Sequence, residues 1–103
     1  MAKLVDLPAG RQARRAKYTN VMYFVYILKS LSSNFYYKGT TNNLPRRLTQ
    51  HYNGQSPSTR KRLPLKLIHV EICQTRKEAR EIEKFFKSGF GREIIYEIEL
   101  SLD

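Results

Sequence analysis

Two runs rich in Tyr, Phe, Val and Ile, Tyr23–Lys29 and Phe35–Thr40, stand on either side of a Ser/Asn cluster at Ser30–Asn34. Such residues suit a pleated surface and the cluster favours a turn, so the pattern predicts an antiparallel hairpin. Pairing Tyr26 with Tyr37 leaves a four-residue loop, Ser30–Ser33, and puts both phenols on one sheet face. Gly39 then lies beside them, where a missing side chain lets another group approach the backbone. Two hydroxyls are expected to look out together.

A helix comes next. Asn43 is placed to cap it, and Pro45 is tolerated in the first turn, where its missing donor has no partner to lose. Leu44, Leu48 and Tyr52 make its apolar stripe. Arg47 and His51, four apart, share a face at the margin of that stripe and are expected to point along the sheet edge. A cation and an imidazole are thereby delivered next to two phenols.

Leu65–Ile72 alternates, with Leu65, Leu67 and His69 on one side and Lys66, Ile68, Val70 and Ile72 on the other, and reads as a third strand. His69, a lone strand histidine among apolar neighbours, reads as structural and stays out of the site. Thr75-Arg76-Lys77-Glu78 has the spacing of a capping box and opens a second helix, which Ser88-Gly89 closes. Ala79, Ile82 and Phe86 form its buried face. Glu83 lies beside that face, where a carboxylate costs energy without a partner; the spacing to Lys87 allows a surface ion pair. Gly91–Leu102 fits either a last helix or a strand. Cys73, the only cysteine, rules out an internal disulfide and a cysteine-rich zinc site, and is expected in the core or in a strand.

A chain of 103 residues holds one domain with a modest core. Its formal charge is +10, and the distribution is uneven: residues 7–70 carry twelve Lys and Arg and no acid, whereas residues 71–103 carry six basic and eight acidic side chains. One half is a cationic surface, which favours a polyanionic partner such as a nucleic-acid backbone. Residues 1–21, with Arg11, Arg14, Arg15 and Lys17, read as a flexible basic extension, and 22–103 as the single domain. Gly54–Pro64 reads as a surface loop. Its Arg60-Lys61-Arg62 triplet and the hydroxyls of Ser56, Ser58 and Thr59 are placed to contact phosphates. No apolar run approaches the roughly 20 residues of a membrane span, and the first residues lack the apolar core of a secretory signal. A cytoplasmic protein is expected.

Tyr26, the Tyr37-Lys38-Gly39 triplet, Arg47, His51 and the helix of Glu83 together resemble the GIY-YIG nuclease superfamily, in particular its small single-domain bacterial branch. The likeness covers Tyr23 to about Glu93, and the order and spacing of these separated elements carry it. The family's first triplet stands here as Phe24-Val25-Tyr26 and its second as Tyr37-Lys38-Gly39. Leu44-Pro45-Arg46-Arg47-Leu48 through Gly54 is similar to the arginine helix, and Glu83–Arg92 to the metal-carboxylate helix and the segment after it. No asparagine occurs beyond Asn53, although several family members carry one late in the domain.

The resemblance implies an α+β fold, a small three-stranded mixed sheet flanked by helices. It also implies hydrolysis of DNA phosphodiesters with one divalent ion, Mg²⁺ or Mn²⁺, held by Glu83, and little sequence preference. Tyr26, Tyr37, Arg47, His51 and Glu83 are the implied catalytic set, with either Tyr26 or His51 as proton acceptor. Lys38, Arg46, Arg60, Lys61 and Arg62 are the expected nucleic-acid contacts, Lys38 from the sheet face opposite Tyr37. A monomer or weak homodimer is expected. The competing reading is a nucleic-acid-binding module, or an accessory protein of a repair complex, that uses the same basic face without cutting.

Overall fold

The computed structural model describes residues 22–102, and the expected basic extension 1–21 lies outside the described residues. Strands β1 (Tyr23–Ser30) and β2 (Tyr36–Thr41) are followed by helix α1 (Leu44–Tyr52), a short 3-10 turn (Arg60–Arg62), strand β3 (Leu65–Cys73) and helices α2 (Arg76–Phe86) and α3 (Gly89–Leu100). The sheet order is β2-β1-β3. As expected, three strands and flanking helices make an α+β fold.

The sheet is antiparallel throughout, where a mixed sheet was expected. β2 and β3 do run in the same direction, but β1 lies between them and they never pair. The hairpin register also differs: Tyr26 faces Gly39, and Tyr37 faces Leu28. This is a slip of two residues from the expected pairing, and an even slip leaves every side chain on its face. Tyr26 and Tyr37 therefore still share a face, as diagonal neighbours.

The sheet is the middle layer of three. Tyr26, Leu28 and Leu65 are buried on one face, with Leu44 and Leu48 of α1 packed against them. Val25, Ile27, Ile68 and Cys73 are buried on the other, under Ala79 and Phe86 of α2 and Ile95 of α3. Cys73 is thus a core strand residue, as its type favours. The expected alternation of β3 fails at one point. A bulge opposite Ile27 and Leu28 shifts the register, so that Leu65, Leu67 and Val70 face α1 while Ile68 and His69 face α2. His69 stacks edge-on against Phe86 and lies 2.7 Å from Glu71.

Side-chain caps set the helix starts. Asn43 Oδ1 accepts from the Arg46 N–H, Thr75 Oγ1 from Glu78 and Ser88 Oγ from Gly91. The Ser88 cap makes the ambiguous last segment a helix, with Ile94, Ile95 and Ile98 turned to the core. At the α2–α3 corner the backbones nearly touch: a Cβ on Gly91 would lie 2.0 Å from the Phe85 carbonyl oxygen and 2.7 Å from Phe86 Cα. No rotamer relieves a backbone clash. Gly91→Ala is expected to cost about 3 kcal/mol, a fall in melting temperature on the order of 15 °C. Gly89→Ala is the control, because its nearest neighbour would be the end of Arg92 at 3.9 Å. Equal melting temperatures for the two variants would refute this account.

Candidate active site

The site lies where α1 covers the β1–β2 hairpin. Tyr26 comes from the central strand, Tyr37 from the edge strand, and Arg47 and His51 from successive turns of α1. Their rings converge: centroids are 6.1 Å apart for Tyr26 and Tyr37, 5.6 Å for Tyr26 and His51, and 5.0 Å for Tyr37 and His51. Gly39 makes the convergence possible. A Cβ there would meet the Tyr26 oxygen at 2.6 Å and Tyr37 Cε2 at 2.7 Å, so only glycine lets the two phenols close over the strand.

Depth separates the four residues. Tyr26 and His51 are fully buried, whereas Tyr37 and Arg47 are half-buried. The expected pair of outward hydroxyls is therefore one: Tyr37 reaches the surface and Tyr26 sits behind it. His51 likewise turns inward from the sheet edge, because its ring fills the space between β1 and the loop after α1. His51 Nε2 lies 2.8 Å from the Tyr26 hydroxyl and Nδ1 lies 2.7 Å from Thr59 Oγ1.

Thr59 and Ser56 were expected to reach for phosphates. Both are instead buried, and they hold the site from behind. Arg47 Nη1 donates to Gln50 Oε1 at 3.0 Å and Nη2 to Ser56 Oγ at 3.4 Å. A guanidinium has five N–H donors, so others stay free for a ligand.

The electrostatics arise from burial. Desolvation of the neutral-to-charged step pushes the Tyr26 phenol above its ordinary range, with Tyr37 adding and Arg47 opposing. In the resting protein Tyr26 is a protonated hydrogen-bonding group. Burial, reinforced by the Arg47 charge, lowers the His51 imidazole to about 4, so it is neutral at neutral pH. An unfolded histidine titrates near 6.5, so acid favours the unfolded chain, which binds the proton that the fold refuses. The stability tied to His51 is complete above about pH 6.5 and is lost as pH falls toward 4. We expect a loss of about 3 kcal/mol across that window, and a His51→Gln variant should lack its share of the slope in denaturant titrations. Parallel slopes would place the acid sensitivity elsewhere.

Glu83 stands apart from this cluster. It projects from α2 on the opposite sheet face, where Oε1 accepts from Thr40 Oγ1 at 2.5 Å and Oε2 pairs with Lys87 Nζ at 2.8 Å. Thr40 is the chain neighbour of Gly39 on the edge strand, so the carboxylate and the phenols flank one short stretch of β2 from its two sides. Thr40 is a partner that the sequence did not signal. Among the described residues there is no group of three or more His, Cys, Asp or Glu able to cage a metal. A hard divalent ion nevertheless needs only one or two protein carboxylates, with water and phosphate completing its shell. Glu83 fits that role: its side chain is reachable from solvent, and its ion pair with the exposed Lys87 is weak and exchangeable.

The expected phosphate contacts divide between the faces. Arg46, Arg60, Lys61 and Arg62 are exposed, and the 3-10 turn that carries the last three directly follows Thr59. Arg62 is partly committed, with its guanidinium 4.3 Å over the Phe35 ring. Lys38 is half-buried on the Glu83 side, where burial, with Arg92 and Lys87 nearby, lowers the pKa of its ammonium. No described helix is long and apolar enough to cross a membrane.

Comparison with known proteins agrees with this architecture. The family model described as the GIY-YIG catalytic domain matches residues 22–94. A UPF0213 protein of Bacillus licheniformis is 43% identical over 70 residues, covering 67% of this chain and 70% of its own. A UPF0213 protein of Listeria innocua is 42% identical over 66 residues, covering 63% and 72%. The solution structure of a UPF0213 protein from Bacillus halodurans superposes with a TM-score of 0.50 at 26% identity, covering 79% of this chain and 88% of that one. With the hairpin, the arginine helix and the phenol pair in the family's order and the match spanning most of the chain, it belongs to the GIY-YIG nuclease family, alongside bacterial UPF0213 relatives.

Proposed function

We propose that the protein is a divalent-metal-dependent endonuclease that hydrolyses DNA phosphodiester bonds with little sequence preference. The observation that carries this reading is the half-buried pair of Tyr37 and Arg47 opening onto a basic surface, backed by the closed Tyr26–His51 pair, in a domain of nuclease type. Arg47, held by Gln50 and Ser56, presents fixed planar donors to the charge that builds on a phosphoryl group. Tyr37 donates its hydroxyl proton to a phosphate oxygen or orients the attacking water. Tyr26 stands behind as a neutral support. Glu83 is the ligand for Mg²⁺ or Mn²⁺, which when bound supplies Lewis-acid stabilisation of the leaving oxygen. Arg46, Arg60 and Lys61 contact phosphates, which carry no base information, and low sequence preference is the consequence.

A second reading has its own observation. Glu83 lies across the sheet and is engaged by Thr40 and Lys87, an arrangement that also suits a nucleic-acid-binding module without cleavage. Purified protein incubated with duplex, branched and single-stranded DNA separates the two. We expect strand cleavage with Mg²⁺ or Mn²⁺ that chelation abolishes, and binding that weakens steeply with salt as phosphate contacts release counterions. Binding without cleavage in either ion selects the module, and salt-independent binding removes both readings.

A further inference from the structure

Every polar atom of the His51 ring is engaged, and the proton count around it has a direction. Tyr26, His51 and Thr59 are each fully buried, with the Tyr26 hydroxyl 2.8 Å from Nε2 and Thr59 Oγ1 2.7 Å from Nδ1. A neutral imidazole offers one N–H and one lone pair. Two arrangements satisfy these distances. In the first, Tyr26 donates to Nε2, and Nδ1–H donates to Thr59. In the second, Thr59 donates to Nδ1, and Nε2–H donates to the Tyr26 oxygen.

Thr59 decides between them. Among the described residues its hydroxyl has no hydrogen-bond partner except His51. In the first arrangement the Thr59 proton is buried without an acceptor, a penalty that lowers its population about tenfold or more. In the second that proton is used, and only hydroxyl lone pairs go unfilled, the cheaper omission. The Tyr26 proton is then released from the ring toward Tyr37, the next hydroxyl outward; Arg47, the other polar neighbour, accepts nothing.

We propose that Thr59 is a positioning residue: by filling the Nδ1 lone pair it fixes His51 as a donor to the Tyr26 oxygen. His51 then has no free lone pair, so it supports Tyr26 and does not act as the proton acceptor. The hydrogen-bond chain runs from the buried loop outward to the phenols. This deepens the nuclease reading and rests on it only for the rate measurement below.

Long-range ¹H–¹⁵N spectra of the labelled full chain at neutral pH, without metal or DNA, read the tautomer directly. The chain has two histidines, and a His69→Gln variant assigns the signals. Wild type and Thr59→Ser are expected in the Nε2–H form, and Thr59→Val as a mixture of tautomers. A wild-type Nδ1–H form overturns the proposal, as does a Thr59→Val spectrum identical to wild type. Because the wild-type spectrum decides the direction, the test survives a Thr59→Val protein that fails to fold. In the cleavage assay Thr59→Val should be slowed roughly tenfold and Thr59→Ser restored. An altered tautomer with an unchanged rate overturns the positioning role. An Nε2–H wild type that cuts no DNA supports the proton assignment and sinks the nuclease reading alone.

Discussion

Glu83→Gln is expected to lower metal-dependent DNA cleavage by about 10³ or more while leaving DNA affinity and melting temperature close to wild type. A metal acting as Lewis acid supplies several kcal/mol of transition-state stabilisation, and each 1.36 kcal/mol is tenfold in rate. Glutamine keeps the Oε1 that accepts from Thr40, so the α2–β2 contact survives. It loses the charge that pairs with Lys87, an exposed i,i+4 pair worth little to stability. The variant thus isolates the carboxylate charge from its packing. Thr40→Val tests the same assignment from the other side: it removes the hydroxyl, leaves the charge, and should retain most of the activity. Equal cutting by wild type and Glu83→Gln would detach Glu83 from catalysis and turn attention to the second reading.

The residues that make secondary structure were legible, because their signals are local. Asn43, Thr75 and Ser88 each cap a helix through contacts three residues away, and apolar spacing placed α1 and α2 on the sheet. What the chain order hid was depth. Tyr26 and Tyr37 share a face, as even-numbered register predicts, yet one is buried and the other half-exposed because β1 is central and β2 is an edge. The β3 bulge escaped for a related reason: a bulge breaks the alternation from which sides are read, and nothing in Leu67-Ile68-His69 announces it. Ser56 and Thr59 look like ordinary loop hydroxyls. Only the folding of their loop over α1 turns them inward to Arg47 and His51, contacts that no spacing rule predicts. The separation of Glu83 from the phenols is likewise a matter of sheet faces, and Lys38, on the same face as Thr40, was correctly expected away from Tyr37.

Arg47→Ala should reduce cleavage by about 10² to 10³ in kcat with little change in DNA affinity, the pattern of a donor that acts on charge developing in the transition state. Arg47→Lys should recover only a small part of that loss. Lysine keeps the charge but not the planar fork, and a single ammonium cannot reproduce two anchoring bonds to Gln50 and Ser56 while presenting further donors outward. A fall in affinity with kcat intact would move Arg47 to phosphate positioning. The same variant has a second readout that needs no activity. The Arg47 charge helps to hold the His51 imidazole at about 4, after burial itself, so its removal lets that value rise toward the ordinary range. The acid-induced stability loss should then be smaller in Arg47→Ala than in wild type, because less of the gap between folded and unfolded histidine remains. Since Arg47 also opposes the upward push on Tyr26, the alanine variant should make the Tyr26 phenol still harder to ionise. One guanidinium thus biases both members of the buried pair, and the pH profile of stability tests that coupling independently of any substrate.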